Sequence, residues 1–553
     1  MGIVSDSSSQ LLSIAIKAHA LDYGFNLNIF EADYNQVDYQ ISNQKSDLYI
    51  SKPEIIILHL STNALLEKYN NQKSNHVNFA EDILKLIDSY YTSINSNSDA
   101  DLIFYNFPEI NDSIYGNFSN KFEGSFLFQL RKLNFLIIDK YKANMDFLIC
   151  DISTIQNRIG KQIFFNNREY VNSSMVFSVE SIPIVAKFTV DIISSVKGVI
   201  NKCLILDLDN TLWGGVIGDD GIENIKIGGY GVGKSYYNFQ KWIKKLKNRG
   251  VILAVCSKNT DYIAREPFLN HPDMVLTIDD ISVFVANWED KVNNIIKIKN
   301  ILNIGYDSMI FLDDNPFERN LVRENIKEIK VPELPKNPED YLDYLCSINI
   351  FETNVISKED KKRTIMYQNE ATRSESKNQF SDLNEYLESL NMKSKIDSFN
   401  SFNIARISQL SQRSNQFNLR TIRYTEDEVL SLSKSNNHFC FSYSLEDKFG
   451  HNGIISVVII EKLNNALFID TWLMSCRVLK RGMELFILNN IVEIAKKNNF
   501  DTILGEFIPT KKNVIVKNHY KDLGFKKGKY WELNVKNFTP KKCFIQKKID
   551  TNE

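Results

Sequence analysis

Short apolar runs alternate with stretches of helical period over the first 198 residues. The runs fall at 55–60, 102–105 and 147–150, and segments long enough to be helices lie between them at 78–94 and 122–141. Such alternation predicts βαβ units and a mostly parallel sheet, since each parallel strand needs a crossover that covers the sheet. An apolar segment, 179–200, leads into a second block with buried-strand runs at 203–206, 251–255, 274–277 and 309–312. One helix stands out there: Phe239, Trp242, Ile243 and Leu246 fall at i, i+3, i+4 and i+7, and Gly250 supplies a stop. Residues 357–389 turn charged and polar with helical spacing, and a third apolar-rich block runs from about 394 to 546. No repeat of solenoid period is present. The pattern predicts an α/β protein of three domains, 1–198, 199–350 and 393–553, with a helical connector at 351–392.

Composition narrows the class. A chain of 553 residues suits three or four domains, and 43% hydrophobic against 24% charged residues excludes wholesale disorder. The 66 Lys and Arg against 68 Asp and Glu leave a net charge of −2, which speaks against a dedicated nucleic-acid binder. The unbroken apolar runs are strand-sized, well short of the roughly 20 residues of a membrane span. The first residues lack the basic start and long apolar core of a signal peptide. Seven scattered cysteines form no CxxC pair, which fits free thiols in a reducing compartment. The expectation is a cytoplasmic protein without membrane or nucleic-acid partners.

The second block carries the chemistry. Asp207 and Asp209 follow the apolar run 203–206, Ser257 closes another run, Lys291 lies in Trp288-Glu-Asp-Lys291, and Asp313-Asp314 end a fourth. A single Asp after a strand is most simply a helix cap. Four strand or loop ends offering carboxylates, a hydroxyl and an ammonium are a different matter. Carboxylates hold a hard cation such as Mg²⁺, and a lysine and a hydroxyl stabilise phosphoryl oxygens. A rival motif is Gly228-Gly-Tyr-Gly-Val-Gly233-Lys234-Ser235, which fits the phosphate-cradling P-loop pattern. That reading leaves the other four elements unexplained. The plainer alternative is a glycine-rich turn before the Phe239–Leu246 helix.

The ordered set Asp207-x-Asp209-x-Thr211, Ser257, Lys291 and Asp313-Asp314 resembles the four motifs of haloacid-dehalogenase (HAD) phosphotransferases. Leu206-Asp-Leu-Asp-Asn-Thr-Leu-Trp-Gly-Gly-Val-Ile-Gly-Asp-Asp-Gly221, Ser257-Lys-Asn259, Asn287-Trp-Glu-Asp-Lys291 and Asp313-Asp-Asn-Pro-Phe-Glu-Arg319 are similar to the FkbH-like subfamily. The resemblance implies a Rossmann-like parallel sheet, with Asp207 as nucleophile and Asp209 as general acid and base. It implies Ser257 and Lys291 on the phosphoryl group, and Mg²⁺ held by the Asp207 carboxylate, the Asp209 carbonyl and Asp313, with Asp314 nearby. The 47 residues between Asp209 and Ser257 and the 33 between Ser257 and Lys291 leave no room for a large cap. The mouth is expected to be open to a bulky partner, or covered by a neighbouring domain.

In the third block an apolar strand run ending in Trp472-Leu-Met474 meets a helical face of Leu485, Leu488, Val492 and Ala495. The helix start beside Arg477 and Arg481 would suit a pyrophosphate. This resembles the GNAT acyltransferase signature, with Arg477 and Gly482 matching and Lys480 where its first glycine belongs. Gln412-x-x-Asn415-Gln-Phe-Asn418, Asp447-Lys-Phe-Gly-x-Asn-Gly453, Pro509-Thr-Lys-Lys-Asn513 and Tyr520-Lys-Asp-Leu-Gly-Phe525 extend the match. The resemblance implies a GNAT-like α+β domain binding CoA, or a carrier-bound phosphopantetheine, through Arg477, Arg481, Gly482 and Asn513. Cys476, beside Arg477 and near Arg481, is the thiol that would carry an acyl group, although a packing role suits a cysteine equally. In the first block, Ser5-Asp-Ser-Ser-Ser9 and Ser61-Thr-Asn63 are similar to SGNH-type esterases, a flavodoxin-like α/β fold. No Asp-x-x-His completes a triad, so an inert docking domain is expected, and His59 is read as a core residue.

FkbH-like proteins load a glyceryl unit from a glycolytic acyl phosphate onto an acyl carrier protein, with loss of phosphate, in secondary-metabolite or surface-polysaccharide assembly. The resemblance implies a phosphorylated three-carbon substrate and an acyl carrier protein as partner. The alternatives are a plain small-molecule HAD phosphatase with accessory domains and a non-catalytic biosynthetic scaffold.

Overall fold

Three β-sheets organise the chain. The computed structural model describes residues 1–73, 76–356, 360–377, 379–510 and 512–548; the side chains of Lys361, Glu375 and Cys476 also lie outside the described residues. Two compact units are formed: Met1–Val196 with Glu352–Asn354, and Lys197–Phe351 with Val355–Glu553.

The first unit is a parallel sheet of β1 (Gly2–Ser5), β2 (Phe30–Glu31), β3 (Ile55–His59), β4 (Asp101–Tyr105) and β5 (Phe147–Cys150), in the order β2-β1-β3-β4-β5. Alternate residues along a strand face opposite ways. Thus Ile56, Leu58, Leu102 and Phe104 pack with the helices Phe79–Asn97 and Phe126–Tyr141. Ile55, Ile57 and Ile103 pack with Gln10–Asp22 and Ile182–Val196. Both faces are covered, as the unbroken apolar runs require.

The second unit opens with β6 (Cys203–Leu206), β7 (Ile252–Ser257), β8 (Val283–Ala286) and β9 (Met309–Leu312), all parallel in the order β8-β7-β6-β9. Leu204, Leu206, Leu253 and Val255 face the helix Gly233–Arg249 through Phe239, Ile243 and Leu246. Cys203, Ile205, Ile252 and Ala254 face Ile295, Ile298 and Val322 on the other side. Gly250 ends the first of these helices at φ +107, a conformation that favours glycine.

One predicted strand is misplaced. Residues 274–277 form no strand; β8 comes later, at Val283–Ala286. The Gln240 side-chain oxygen accepts the N–H groups of Val275 and Leu276, and Thr277 with Asp280 makes a reciprocal cap on the next turn. Side chains satisfy this backbone, so it has no need of a sheet partner.

The third sheet comprises β10 (Met392–Ser394), β11 (Ile396–Ser398), β12 (His438–Asp447), β13 (Gly450–Lys462), β14 (Ala466–Met474), β15 (Thr502–Gly505), β16 (Lys526–Lys527), β17 (Trp531–Asn534) and β18 (Ile545–Lys547). Its order is β16-β17-β15-β14-β13-β12-β10-β18, with β11 on β12. The strand–turn–helix–parallel strand unit expected of a GNAT-like domain is present as β14, the helix Met483–Lys497 and β15. Among the described residues, no helix is long and apolar enough to cross a membrane.

Candidate active site

Four parallel strands running the same way deliver their C-terminal residues to one sheet edge. Asp207 follows β6, Ser257 ends β7, and Asp313 follows β9. Lys291 opens the helix Lys291–Leu302 after β8, which Asp290 caps through the Asn293 N–H. These residues, up to 106 positions apart in the chain, are thereby brought together.

Lys291 is the hub. Its ammonium lies 2.8 Å from the Asp207 carboxylate and also binds Asp313 Oδ2. Burial disfavours that charge, but Asp207 and Asp313 together more than offset it and hold the Lys291 pKa above its usual value. Oxygens of Asp207, Asp313 and Asp314 all lie within 4.8 Å of one another. Three carboxylates against one ammonium leave two negative charges uncompensated. Burial, then repulsion from Asp207, pushes Asp313 up to about 7 and Asp314 up to about 6. A crowded, oxygen-only, partly desolvated site of this charge suits a small hard divalent cation.

Asp209 faces elsewhere. Its Oδ1 accepts hydrogen bonds from Trp213 Nε1 (2.9 Å) and the Ile217 N–H (3.0 Å), and its Oδ2 accepts from Asn259 Nδ2 (2.7 Å). Its carboxylate is therefore not part of the cation-binding trio of Asp207, Asp313 and Asp314. Burial is the largest influence on Asp209 and raises its pKa, against those three bonds, with the Asp207 charge adding to the rise. A fixed carboxyl biased toward its protonated form is suited to give up a proton.

Several positioning residues were not foreseen as such, although all stand within the motif strings. Thr211 Oγ1 accepts the Asp314 N–H, and Arg319 Nη1 donates to the carbonyls of Asp313 and Asp314. Lys258 pairs with Glu318 at 2.5 Å. Asn210 adopts φ +54 and its side chain accepts the Gly215 N–H, turning the chain back after Asp209. The excursion between β6 and the helix Gly233–Arg249 carries only the four-residue helix Ile217–Asp220 and two bridges, Asp209–Trp213 and Gly214–Lys226, so no cap domain is inserted there.

The P-loop alternative fails on geometry. Residues 225–227 join none of the three sheets, and Lys234 is exposed at the first turn of its helix. Gly233 is small because a Cβ there would stand 3.1 Å from the Ile227 backbone. Lys234→Ala is expected to leave phosphate release unchanged, and calorimetry of the wild type is expected to show no micromolar ATP affinity. Such an affinity, lost on substitution, would restore the P-loop.

The expected pantetheine groove is not open. β14 pairs with β15 only over Ala466–Ile469, and beyond that the strands part. Residues 417–419 fill the gap: the Leu419 N–H donates to Trp472 O, the Met474 N–H to Phe417 O, and the Ile508 N–H to Leu419 O. Asn513 was expected to bind cofactor; its Nδ2 instead donates to the carbonyls of Asn418 and Ile508, locking this strap in place. Arg481 is not poised for a pyrophosphate either, because Glu370 and Asp447 neutralise it, and Asp447 also holds Arg373 at 2.7 Å. Arg477 is buried, bonded to Ser475 Oγ and the Asn452 carbonyl. Gly482 sits at φ +82 as the residue before the helix, a backbone role. The Cys476 side chain lies outside the described residues.

In the first unit, Ser5 and Ser7 hydroxyls lie 3.1 and 3.3 Å from His59 Nδ1. Burial pushes His59 down to about 3, so it is neutral, and it stacks on Phe177. No carboxylate is bonded to it among the described residues, which matches a core role.

A family model described as FkbH, N-terminal domain, matches residues 1–194. The N-terminal part of the protein BF1531 from Bacteroides fragilis, described as containing a phosphatase domain complexed with Mg, is 46% identical, with a TM-score of 0.62. The match covers 64% of this chain and 94% of that one. The chain belongs to the FkbH-like family. Two acetyltransferase structures are also similar to parts of this FkbH-like chain. The ribosomal-protein-S18-alanine N-acetyltransferase from Escherichia coli is 13% identical over 24% of this chain and 79% of its own (TM-score 0.20). The spermidine N-acetyltransferase from Vibrio cholerae is 15% identical over 25% and 82% (TM-score 0.21). No curated protein matches the sequence. The FkbH-like chain is a multi-domain α/β enzyme with a HAD-type central sheet, as its motifs predicted.

Proposed function

We propose that this protein is a Mg²⁺-dependent HAD-type phosphatase and glyceryl transferase. It would take a phosphorylated three-carbon acyl donor, release phosphate, and load the glyceryl unit onto an acyl carrier protein in secondary-metabolite or polysaccharide assembly, in the cytoplasm. The observation that carries the phosphatase part is the Asp207–Lys291–Asp313–Asp314 cluster at one uncapped sheet edge. Asp207, Asp313 and Asp314 would hold Mg²⁺, as the Mg complex of the 46% identical relative supports. The ion, when bound, supplies charge neutralisation for the approach of an anionic phosphate.

The chain's own residues do the rest. On a phosphate ester of the donor, Asp207 Oδ attacks phosphorus as the bond to the ester oxygen breaks, giving an aspartyl-phosphate. Loading is a separate step, in which the carrier thiol attacks the acyl carbon, the C–O bond to the acyl phosphate breaks, and phosphate leaves with the thiol's proton. Asp209 hands the leaving oxygen its proton and then takes one from the water that hydrolyses the intermediate, held for both steps by Trp213, Ile217 and Asn259. Lys291 and Ser257 bind the phosphoryl oxygens.

Because Asp313 and Asp314 are raised, the cation must displace protons from them. Apparent Mg²⁺ affinity is expected to rise with pH through about 6 to 7 and to level off above 8, read by calorimetry at several pH values. In the metal-free protein these carboxyls stay protonated when folded, up to pH values at which the unfolded chain has lost its protons. Metal-free stability should therefore fall as pH rises from about 4 to 7.

One observation favours the plainer reading, a small-molecule phosphatase: residues 417–419 occupy the gap between β14 and β15. Phosphate release from three-carbon phosphates, with and without an acyl carrier protein, separates the two. Carrier-dependent release with a mass gain on the carrier supports the transferase. Carrier-independent release with an unmodified carrier leaves the phosphatase alone.

A further inference from the structure

Charge in this chain is balanced overall but not along its length. The net charge is −2, yet between positions 517 and 542 stand eight lysines and no arginine against two carboxylates, Asp522 and Glu532. All eight lysines are exposed. Lys536 pairs with Asp501 at 2.9 Å. The other seven have no ion pair among the described residues, so the face carries a surplus of five positive charges.

The fold gathers these lysines. β16 is an outer strand of the third sheet and pairs with β17, so that Lys526 stands opposite Glu532 and Lys527 opposite Trp531, with Lys529 in the turn between. Lys521 lies in the short helix His519–Asp522 just ahead of β16, and Lys517 just before that helix. Lys541 arrives from beyond β17: its Nζ lies 3.8 Å from where a Cβ on Gly524 would stand, between that helix and β16. Lysines on an outer strand deter edge pairing. That accounts for Lys526 and Lys527, the two of the seven that lie in strands, and not for the rest. Lys527, Lys529 and Lys542 rest over the rings of Trp531, Tyr530 and Phe544, at 6.0, 5.7 and 5.3 Å. A side chain held in this way has less freedom to lose when a partner arrives.

Apolar surface adjoins the charge. In the short turn Val514–Val516, Val516 is buried, whereas Val514 and Ile515 are 56% and 62% exposed, next to Lys517. The turn directly follows Asn513, which locks residues 417–419 in the gap between β14 and β15, so this face adjoins that gap. Apolar side chains with a charged rim make up a protein contact. The choice of lysine points the same way. Arginine's planar fork suits phosphates and nucleic acid, whereas lysine supplies a hydrated point charge that steers an oppositely charged surface.

We propose that Val514, Ile515 and the lysines around them form the docking surface for the acyl carrier protein, which meets it with an acidic face. The inference rests on the transferase reading and gives the partner its place on this chain.

The carrier that the wild type loads is the probe, in its apo form so that no phosphopantetheine arm contributes. It is titrated calorimetrically into the full-length protein. Binding is expected, and is expected to weaken as salt is raised. The triple variant Lys526→Glu, Lys527→Glu, Lys529→Glu and the double variant Lys521→Glu, Lys541→Glu are each expected to weaken it about ten-fold. The KM for the carrier should rise alike, with the melting temperature and carrier-free phosphate release unchanged. Undiminished binding in a variant that melts like the wild type overturns the proposal and leaves the transferase reading standing. A wild type that loads no carrier overturns that reading, and the docking surface with it. Phosphatidylserine vesicles and duplex DNA are titrated in parallel. Binding to either that needs these lysines, without binding of the apo carrier, also overturns the proposal. Should the triple variant melt early, the double variant decides.

Discussion

Asp207→Asn is expected to abolish phosphate release. The substitution keeps shape and volume at the end of β6 but removes the anionic oxygen that attacks phosphorus, and its amide cannot hold a hard cation as a carboxylate does. Turnover should fall by about 10³-fold or more, equivalent to about 4 kcal/mol of barrier. The fold should survive, because the asparagine still offers an oxygen to Lys291, which lies 2.8 Å from Asp207 and also binds Asp313. Steady-state phosphate release with saturating Mg²⁺, alongside a melting curve, checks both halves. Asp209→Asn should behave differently: with the general acid removed, slow substrates with poor leaving groups should suffer most, and those with good leaving groups least.

The second large effect concerns stability. Asp447→Asn is expected to destabilise the second unit by about 3–5 kcal/mol, because it leaves two buried guanidinium groups facing one remaining carboxylate. The Asp447 side chain is fully buried, binds Arg373 through both oxygens at 2.7 and 3.0 Å, and reaches Arg481; Glu370 bridges the same two arginines. Chemical denaturation followed by the unit's tryptophans measures it. The same variant tests what Arg481 is for. A structural ion pair predicts a large loss of stability with phosphate release unchanged per folded molecule. A pyrophosphate-binding arginine predicts little loss of stability.

The HAD site was legible because its geometry follows from local pattern. In a parallel βα sheet every apolar run ends at the same edge, so the residue after each run can be placed without knowing distant contacts. Asp207, Ser257 and Asp313 each end such a run, and Lys291 starts the helix after the remaining strand. The strand predicted at 274–277 shows the limit: its apolar pattern reads as a strand, but the Gln240 side chain takes the N–H groups a neighbouring strand would have taken. The third sheet shows a deeper limit. Arg477, Arg481 and Asn513 occupy the positions the motif assigns them, yet their partners, Asn452, Glu370, Asp447 and Asn418, come from 25 to 111 residues away. Spacing along the chain shows that a cleft can form between β14 and β15. It does not show that residues 417–419 fill it.

The central claim is that Asp207 becomes phosphorylated during turnover. Enzyme in excess, mixed with Mg²⁺ and a three-carbon phosphate and quenched within the first turnover, should carry one phosphoryl group. Borohydride reduction should then convert residue 207, within the peptide that holds Asp207 and Asp209, to homoserine detectable by mass spectrometry. Rapid phosphate release with residue 207 recovered only as aspartate, or homoserine found instead at Asp313 or Asp314, would contradict the account.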